Sequence, residues 1–161
     1  MKIRIAVVAF LLFPIAVFAQ APPRGTIMTH HATGSFTPDV KPLAPDFPDA
    51  PNLGRMTINK TLHGGIEGTG IGQMLTSMSA TKGSAGYVAV ELITGSVDGR
   101  KGTFSLIHLG LMERGKPTLS VKVVPDSGTG ELTGLTGTFT INIAADGKHT
   151  YDFEYSLPAQ P

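Results

Sequence analysis

An all-β fold, closed into an antiparallel barrel of about eight strands, follows from three features of the 161-residue sequence. From Leu53 onward, short β-prone runs alternate with glycine-bearing joints. Nowhere do apolar residues recur with helical spacing over three turns. The joints "HGG", "TKGSAG", "VDGRKG", "MERGKP" and "AADGKH" carry turn chemistry, and Asp98-Gly99 and Asp146-Gly147 supply the positive φ angles of tight hairpins. A sheet of this size twists and has two edges to hide, so closure is the simplest solution.

The chain opens with "MKIRIAVVAFLLFPIAVFAQAPPRG": two basic residues, Lys2 and Arg4, then an apolar stretch from Ile5 to Phe18 that is short for a membrane span. Cleavage after Ala19 places Val17 and Ala19 at the small-residue positions of a signal-peptidase site. Residues 1–19 are therefore expected to be a signal peptide, 20–27 a tether and 28–158 one barrel domain. The protein is expected to be exported, periplasmic or secreted, with no membrane span in its mature form. Removing Lys2 and Arg4 takes the 13 basic residues to 11 against 12 acidic ones, a formal charge of −1. That leaves no basic face for nucleic acid. With no cysteine, the exported chain relies on burial and backbone hydrogen bonds alone.

Strand by strand, "MTHHATGSF" begins the ordered part with threonines, aromatic and small residues. The segment "TPDVKPLAPDFPDAP" follows, and its five prolines from Pro38 to Pro51 predict an extended surface loop over 38–51. Further strands are expected near 54–63, 67–79, 85–97, 102–113, 117–125, 136–144 and 148–157. Tyr151, Phe153, Tyr155 and Leu157 share one face of the last strand, with Asp152, Glu154 and Ser156 on the other. Leu119, Val121 and Val123 oppose Ser120 and Lys122 in the same way, as Phe139, Ile141 and Ile143 oppose Thr140 and Asn142. Strands 85–97 and 102–113 are apolar on both faces. An apolar cavity on one side and a covering loop or partner subunit on the other would explain them, which leaves room for a homo-oligomer.

Five stretches, "MTHHATGSF", "KTLHGGIEGTG", "GYVAVELITGSVDGRKGTFSLIHLG", "VVPDSGTGELTGLTGTF" and "YDFEYSL", together resemble a bacterial family of domains of unknown function with an allene oxide cyclase-like barrel. The resemblance spans nearly the whole chain after the signal. It implies a small closed barrel with an internal cavity and no activity established for the family. Plant allene oxide cyclases and dirigent proteins, more remote relatives by fold, steer the reactions of hydrophobic intermediates without a cofactor, an analogy of fold alone. This chain departs from its relatives in having the Pro-rich loop where they usually carry a tryptophan-bearing charged segment.

The hairpin "ELITGSVDGRKGTFSLIH" places two ionisable residues, Glu91 and His108, among apolar ones. A two-residue turn at Asp98-Gly99 pairs Val97 with Arg100 and Glu91 with Leu106, leaving His108 diagonal to Glu91. A four-residue turn pairs Glu91 with His108 directly, and both registers put them on one face. A three-residue turn separates them. If they share an interior with Tyr87, Phe104 and Leu106, desolvation raises the pKa of Glu91 unless His108 takes its proton and becomes a paired cation. Such a pair has three available roles: a buried hydrogen bond fixing strand register, a polar contact to a ligand, or an acid and base on a bound molecule. Tyr151 and Tyr155 join Tyr87 as apolar bodies whose hydroxyls orient a ligand where they meet a cavity. Glu67 and Glu131, in glycine-rich surroundings, are expected at the rim.

Other signals carry no chemistry. "GLMERGKP" ends in Pro117 where a phosphate loop needs Ser or Thr, and it opens no helix. "GTGELTG" lacks the helix that would hold a pyrophosphate. His30 and His31, adjacent in a strand, point to opposite faces, and His63, His108 and His149 lack ligand spacing, so neither metal nor cofactor is expected. The leading expectation is an exported barrel that binds a small, largely hydrophobic molecule in its interior, with Glu91 and His108 providing polar contacts and Tyr87, Phe104, Leu106, Tyr151 and Tyr155 lining the site. The alternatives are a cofactor-free isomerase or cyclase using Glu91 and His108 for proton transfer, and a structural or interaction protein with a side-chain-filled barrel.

Overall fold

A computed structural model describes residues 28–158, so the expected signal peptide and the tether lie outside the described residues. Eight strands follow in order: β1 (Thr29–Pro42), β2 (Leu53–Gly64), β3 (Ile66–Met78), β4 (Ala85–Val97), β5 (Arg100–Glu113), β6 (Lys116–Val123), β7 (Thr136–Ile143) and β8 (His149–Ser156). Each pairs antiparallel with its neighbour, and β8 pairs back onto β1. The expected closed barrel is thus the observed one.

The β4–β5 connection is the two-residue turn. Asp98 and Gly99 have φ of 46° and 84°, as a hairpin turn matching strand twist requires, and Val97 pairs with Arg100. Every inward position of the hairpin follows from that register: Glu91 lies opposite Leu106, and His108 opposite Ala89, diagonal to Glu91.

One boundary needs correction. The Pro-rich segment does not leave the sheet at Pro38; β1 runs on through Pro42, paired with β2 as far as Pro42 opposite Met56. Pairing with β8 ends at Phe36. Pro38 and Pro42 therefore sit where the strand is paired on one side only, the place in a sheet that tolerates a missing donor. The actual loop, 43–52, folds back on β2. Leu43 donates its backbone N–H to the Arg55 carbonyl at 2.9 Å, and the Arg55 guanidinium reaches the Ala44 carbonyl at 3.2 Å and Asp46 at 3.1 Å.

The two ends of the barrel differ. At one end the connection between β6 and β7, with a 3-10 turn at Gly130–Leu132, pushes Leu132 and Leu135 into the interior, where both are fully buried. Hydrogen bonds to β5 fasten this plug: Val124 donates to the Ser105 carbonyl at 2.9 Å, and Thr129 donates to the Thr103 carbonyl at 2.9 Å. Packed with the plug are stacked aromatics, Phe104 on Phe153 with centroids 5.6 Å apart and Phe153 on Tyr155 at 5.3 Å. The opposite end, reached by the 43–52 loop and the short β3–β4, β5–β6 and β7–β8 connections, has no such plug among the described residues. Toward it β6 and β7 also part: only Lys122 and Thr138 are paired between them.

Candidate functional site

On β2 the inward positions alternate Ile58, Lys60, Leu62, so Lys60 occupies a place whose neighbours are apolar. Its ammonium reaches Glu91 Oε2 at 2.8 Å, and His108 Nε2 lies 3.1 Å from the same oxygen. The three side chains are exposed by only 3%, 0% and 1%. Lys60 also lies over the face of Phe36, 4.9 Å from the ring centroid, which adds a cation–π contact.

Lys60 and Glu91 are on strands that are not paired with each other; β3 runs between them, and its inner face makes the contact possible. Gly70 lies opposite Lys60 and Gly72 opposite Glu91. A Cβ on Gly70 would overlap Glu91 Oε1, so the carboxylate lies in the space a side chain there would fill. Gly70→Ala is expected to displace the carboxylate from Lys60 and lower the melting temperature by several degrees, corresponding to roughly 1–3 kcal/mol for an overpacked core. A thermal melt indistinguishable from wild type would show that the carboxylate does not depend on that space.

The charge state follows from the partners. Burial alone pushes the Glu91 pKa up, but the hydrogen bond from His108 and the charge and hydrogen bond of Lys60 outweigh it, and the carboxyl titrates below the ordinary glutamate value. The rise expected from desolvation is thus reversed, first by the hydrogen bond from His108 within the hairpin and then by Lys60, a cation the hairpin did not contain. With the carboxylate ionised, His108 Nε2 carries the proton and donates. Glu91 Oε1 is buried without a hydrogen-bond partner. A carboxylate held ionised by two donors is a weak base, ill suited to taking a proton near neutral pH.

Of the seven residues singled out from the sequence, Glu91 and His108 meet, and Tyr87 lies near them, its pKa raised by burial and by the Glu91 charge. Phe104, Leu106, Tyr151 and Tyr155 belong to the packed core. The Tyr151 hydroxyl accepts the Ile66 N–H at 2.8 Å. Tyr155 donates to Asp98 at 2.7 Å; burial, this hydrogen bond and the Asp98 charge push its pKa up to about 12. Glu67 and Glu131 are exposed and accept the backbone N–H groups of Gly64 and Lys101 at 2.7 and 2.8 Å. The remaining histidines are dispersed: His30 stacks on Tyr155, His31 bonds Asp152, His63 bonds Glu67, and His149 packs on Phe36.

The unplugged end holds an open pocket of about 450 Å³, walled by groups such as Val40, Ile58, Met74, Met112 and Leu119, with Tyr87 among them. The Tyr87 ring lies over Gly110, where any Cβ would overlap it. Ile58 and Gly110 are the next inward residues to Lys60 on β2 and His108 on β5, and on β4 the buried Ala89 separates Tyr87 from Glu91. The ion cluster therefore lies below the pocket, sealed from it, and none of its members lines the wall. A smaller cleft of about 180 Å³ lies beside the mouth, between the 43–52 loop and β2–β3.

The family model described as "Protein of unknown function (DUF3224)" matches residues 32–155. The chain is also similar to a solved crystal structure from Shewanella oneidensis MR-1, a protein with unknown function from the same family. The two are 41% identical, the match covers 83% of this chain and all of that one, and the TM-score is 0.77. No curated protein matches.

Proposed function

The chain belongs to the DUF3224 family, whose description assigns no activity, and from its barrel we propose an exported protein that binds a small, largely hydrophobic molecule in the open mouth. The observation that carries this reading is the apolar pocket at the unplugged end, whose volume of about 450 Å³ falls within the range of small-molecule sites. Tyr87 supplies a hydroxyl at its wall, so the reading favours an apolar molecule with one hydrogen-bonding group. The Lys60–Glu91–His108 cluster serves as the rigid, charged floor that keeps β2, β4 and β5 in place beneath the ligand. Export rests on the N-terminal layout of basic, apolar and small residues. The enzyme reading is less favoured because the cluster is sealed from the pocket and the Glu91 pKa is lowered.

Native mass spectrometry of the mature protein, purified from its own export compartment, is expected to show one small molecule per chain, released on denaturation. Met74→Trp, which fills the mouth, is expected to abolish that added mass and to weaken binding of the dye 1-anilinonaphthalene-8-sulfonate at least tenfold. A clean apo mass together with equal dye binding by both proteins would overturn the proposal.

A further inference from the structure

The outer wall formed by β3, β4 and β5 is unlike the rest of the barrel surface. The pairing registers lay out a block of three rows: Ile71, Leu92 and Ser105; Gln73, Val90 and Ile107; Leu75, Val88 and Leu109. Seven of these nine side chains are large aliphatics, each between 39% and 60% exposed, and no charged residue falls within the block. Its flanks are polar on both sides. Arg55, Thr57 and Asn59 of β2 lie opposite Leu75, Gln73 and Ile71. Ser120 and Lys122 of β6 lie opposite Leu109 and Ile107. An apolar centre inside a polar rim is the anatomy of a protein interface.

From this arrangement we infer that the β3–β5 wall is a self-association surface, covered by the same wall of a second copy of the chain around a two-fold axis near Val90. Area is the first argument. At their exposures the seven aliphatics present on the order of 700 Å², close to the ~800 Å² that each partner contributes to a stable interface of standard size. The absence of charge is the second: nothing in the block would select a partner of complementary charge, whereas an aliphatic sheet face complements itself by sheet-on-sheet packing. Third, the remaining large exposed apolar residues among those described, such as Met28, Phe47, Met78 and Ile143, lie at the barrel ends and in loops. The outward positions of β7 and β8 are instead Thr138, Thr140, Asn142, Asp152 and Glu154. A head-to-tail ring would need a second apolar wall, and the described barrel offers none, so the wall meets itself.

Sedimentation velocity of the mature chain between 1 and 50 μM is expected to give a dimer. Val90→Lys is expected to give a monomer with an unchanged far-UV circular dichroism spectrum, while Thr140→Lys, on the polar side, stays dimeric. Because the chain has no cysteine of its own, Val90→Cys provides an independent readout on a protein that keeps its apolar wall. Oxidation is expected to convert most of it to a covalent dimer and to leave Thr140→Cys uncrosslinked. A wild-type monomer at 50 μM, a trimer or larger ring, or a dimer untouched by Val90→Lys would overturn the inference. So would a monomer that sediments with phosphatidylcholine vesicles, which would assign the wall to lipid.

Discussion

Replacing Glu91 by leucine is expected to cost the fold roughly 3–5 kcal/mol, because it strands the Lys60 ammonium in an apolar interior without its counter-charge. The adjacent His108 loses its acceptor in the same step. The diagnostic comparison is the double variant Lys60→Met with Glu91→Leu. It removes both charges and fills their volume with apolar atoms, so most of the loss is expected to return. Urea unfolding midpoints at constant slope measure all three proteins. If Glu91→Leu alone were as stable as wild type, the carboxylate would not be what holds Lys60 in the barrel.

Acid should expose the same cluster from the other direction. The folded pKa of Glu91 is lowered relative to the unfolded chain, so its contribution is complete above the ordinary glutamate value of about 4.5 and is lost as pH falls through the folded value. Wild-type stability is therefore expected to decline on the acid side of pH 4.5, and Glu91→Gln to start lower at neutral pH but decline less steeply. Parallel curves for the two proteins would contradict this assignment of the titrating group.

The second large effect lies at the plugged end. Phe153 is fully buried, stacks on Phe104 and Tyr155, and meets Phe139 with centroids 5.7 Å apart. Phe153→Ala is expected to cost roughly 3–5 kcal/mol, the loss of a large apolar side chain together with the cavity it leaves. For a domain whose whole stability is about 5–15 kcal/mol, that is enough to leave a sizeable unfolded fraction at 37 °C. Because Leu132 and Leu135 reach the same core from the plug, exchange protection of the 124–135 amides is expected to fall with it. A melting temperature within a few degrees of wild type would mean that the aromatic cluster is not the main support of the closed end.

Much of this architecture was legible in the residues. Alternation of apolar and polar positions along strands such as 149–156 depends on the two-residue period of a strand, a local property, and so assigns inner and outer faces without a structure. The Asp98-Gly99 dipeptide carries its own backbone preference and so located the turn, while the choice among two-, three- and four-residue registers, and with it the shared face of Glu91 and His108, came from the structure. A lysine at an inward position between Ile58 and Leu62 was an equally local signal for Lys60. Asn59-Lys60-Thr61 equally reads as an ordinary polar segment, and that masks the signal.

Tertiary structure decided the rest. Lys60 and Glu91 meet across β3 only because the barrel brings three strands together with Gly70 and Gly72 between them, and no local pattern in any one strand encodes that meeting. The sign of the Glu91 pKa shift depended on its contacts with His108 and Lys60, since desolvation acts against hydrogen bonding and charge pairing and only geometry sets their balance. Which aromatic residues fill the barrel and which line a pocket likewise depended on where the 124–135 segment folds. Tyr87, Tyr151 and Tyr155 all point inward, yet Leu132 and Leu135 close one end of the barrel and leave only the Tyr87 end open. The sequence by itself determined the strands, their faces and the place of the Asp98-Gly99 turn, because these arise from neighbours along the chain. The ion cluster, the plug and the pocket arise from residues distant in sequence, and only closure of the barrel determines their company.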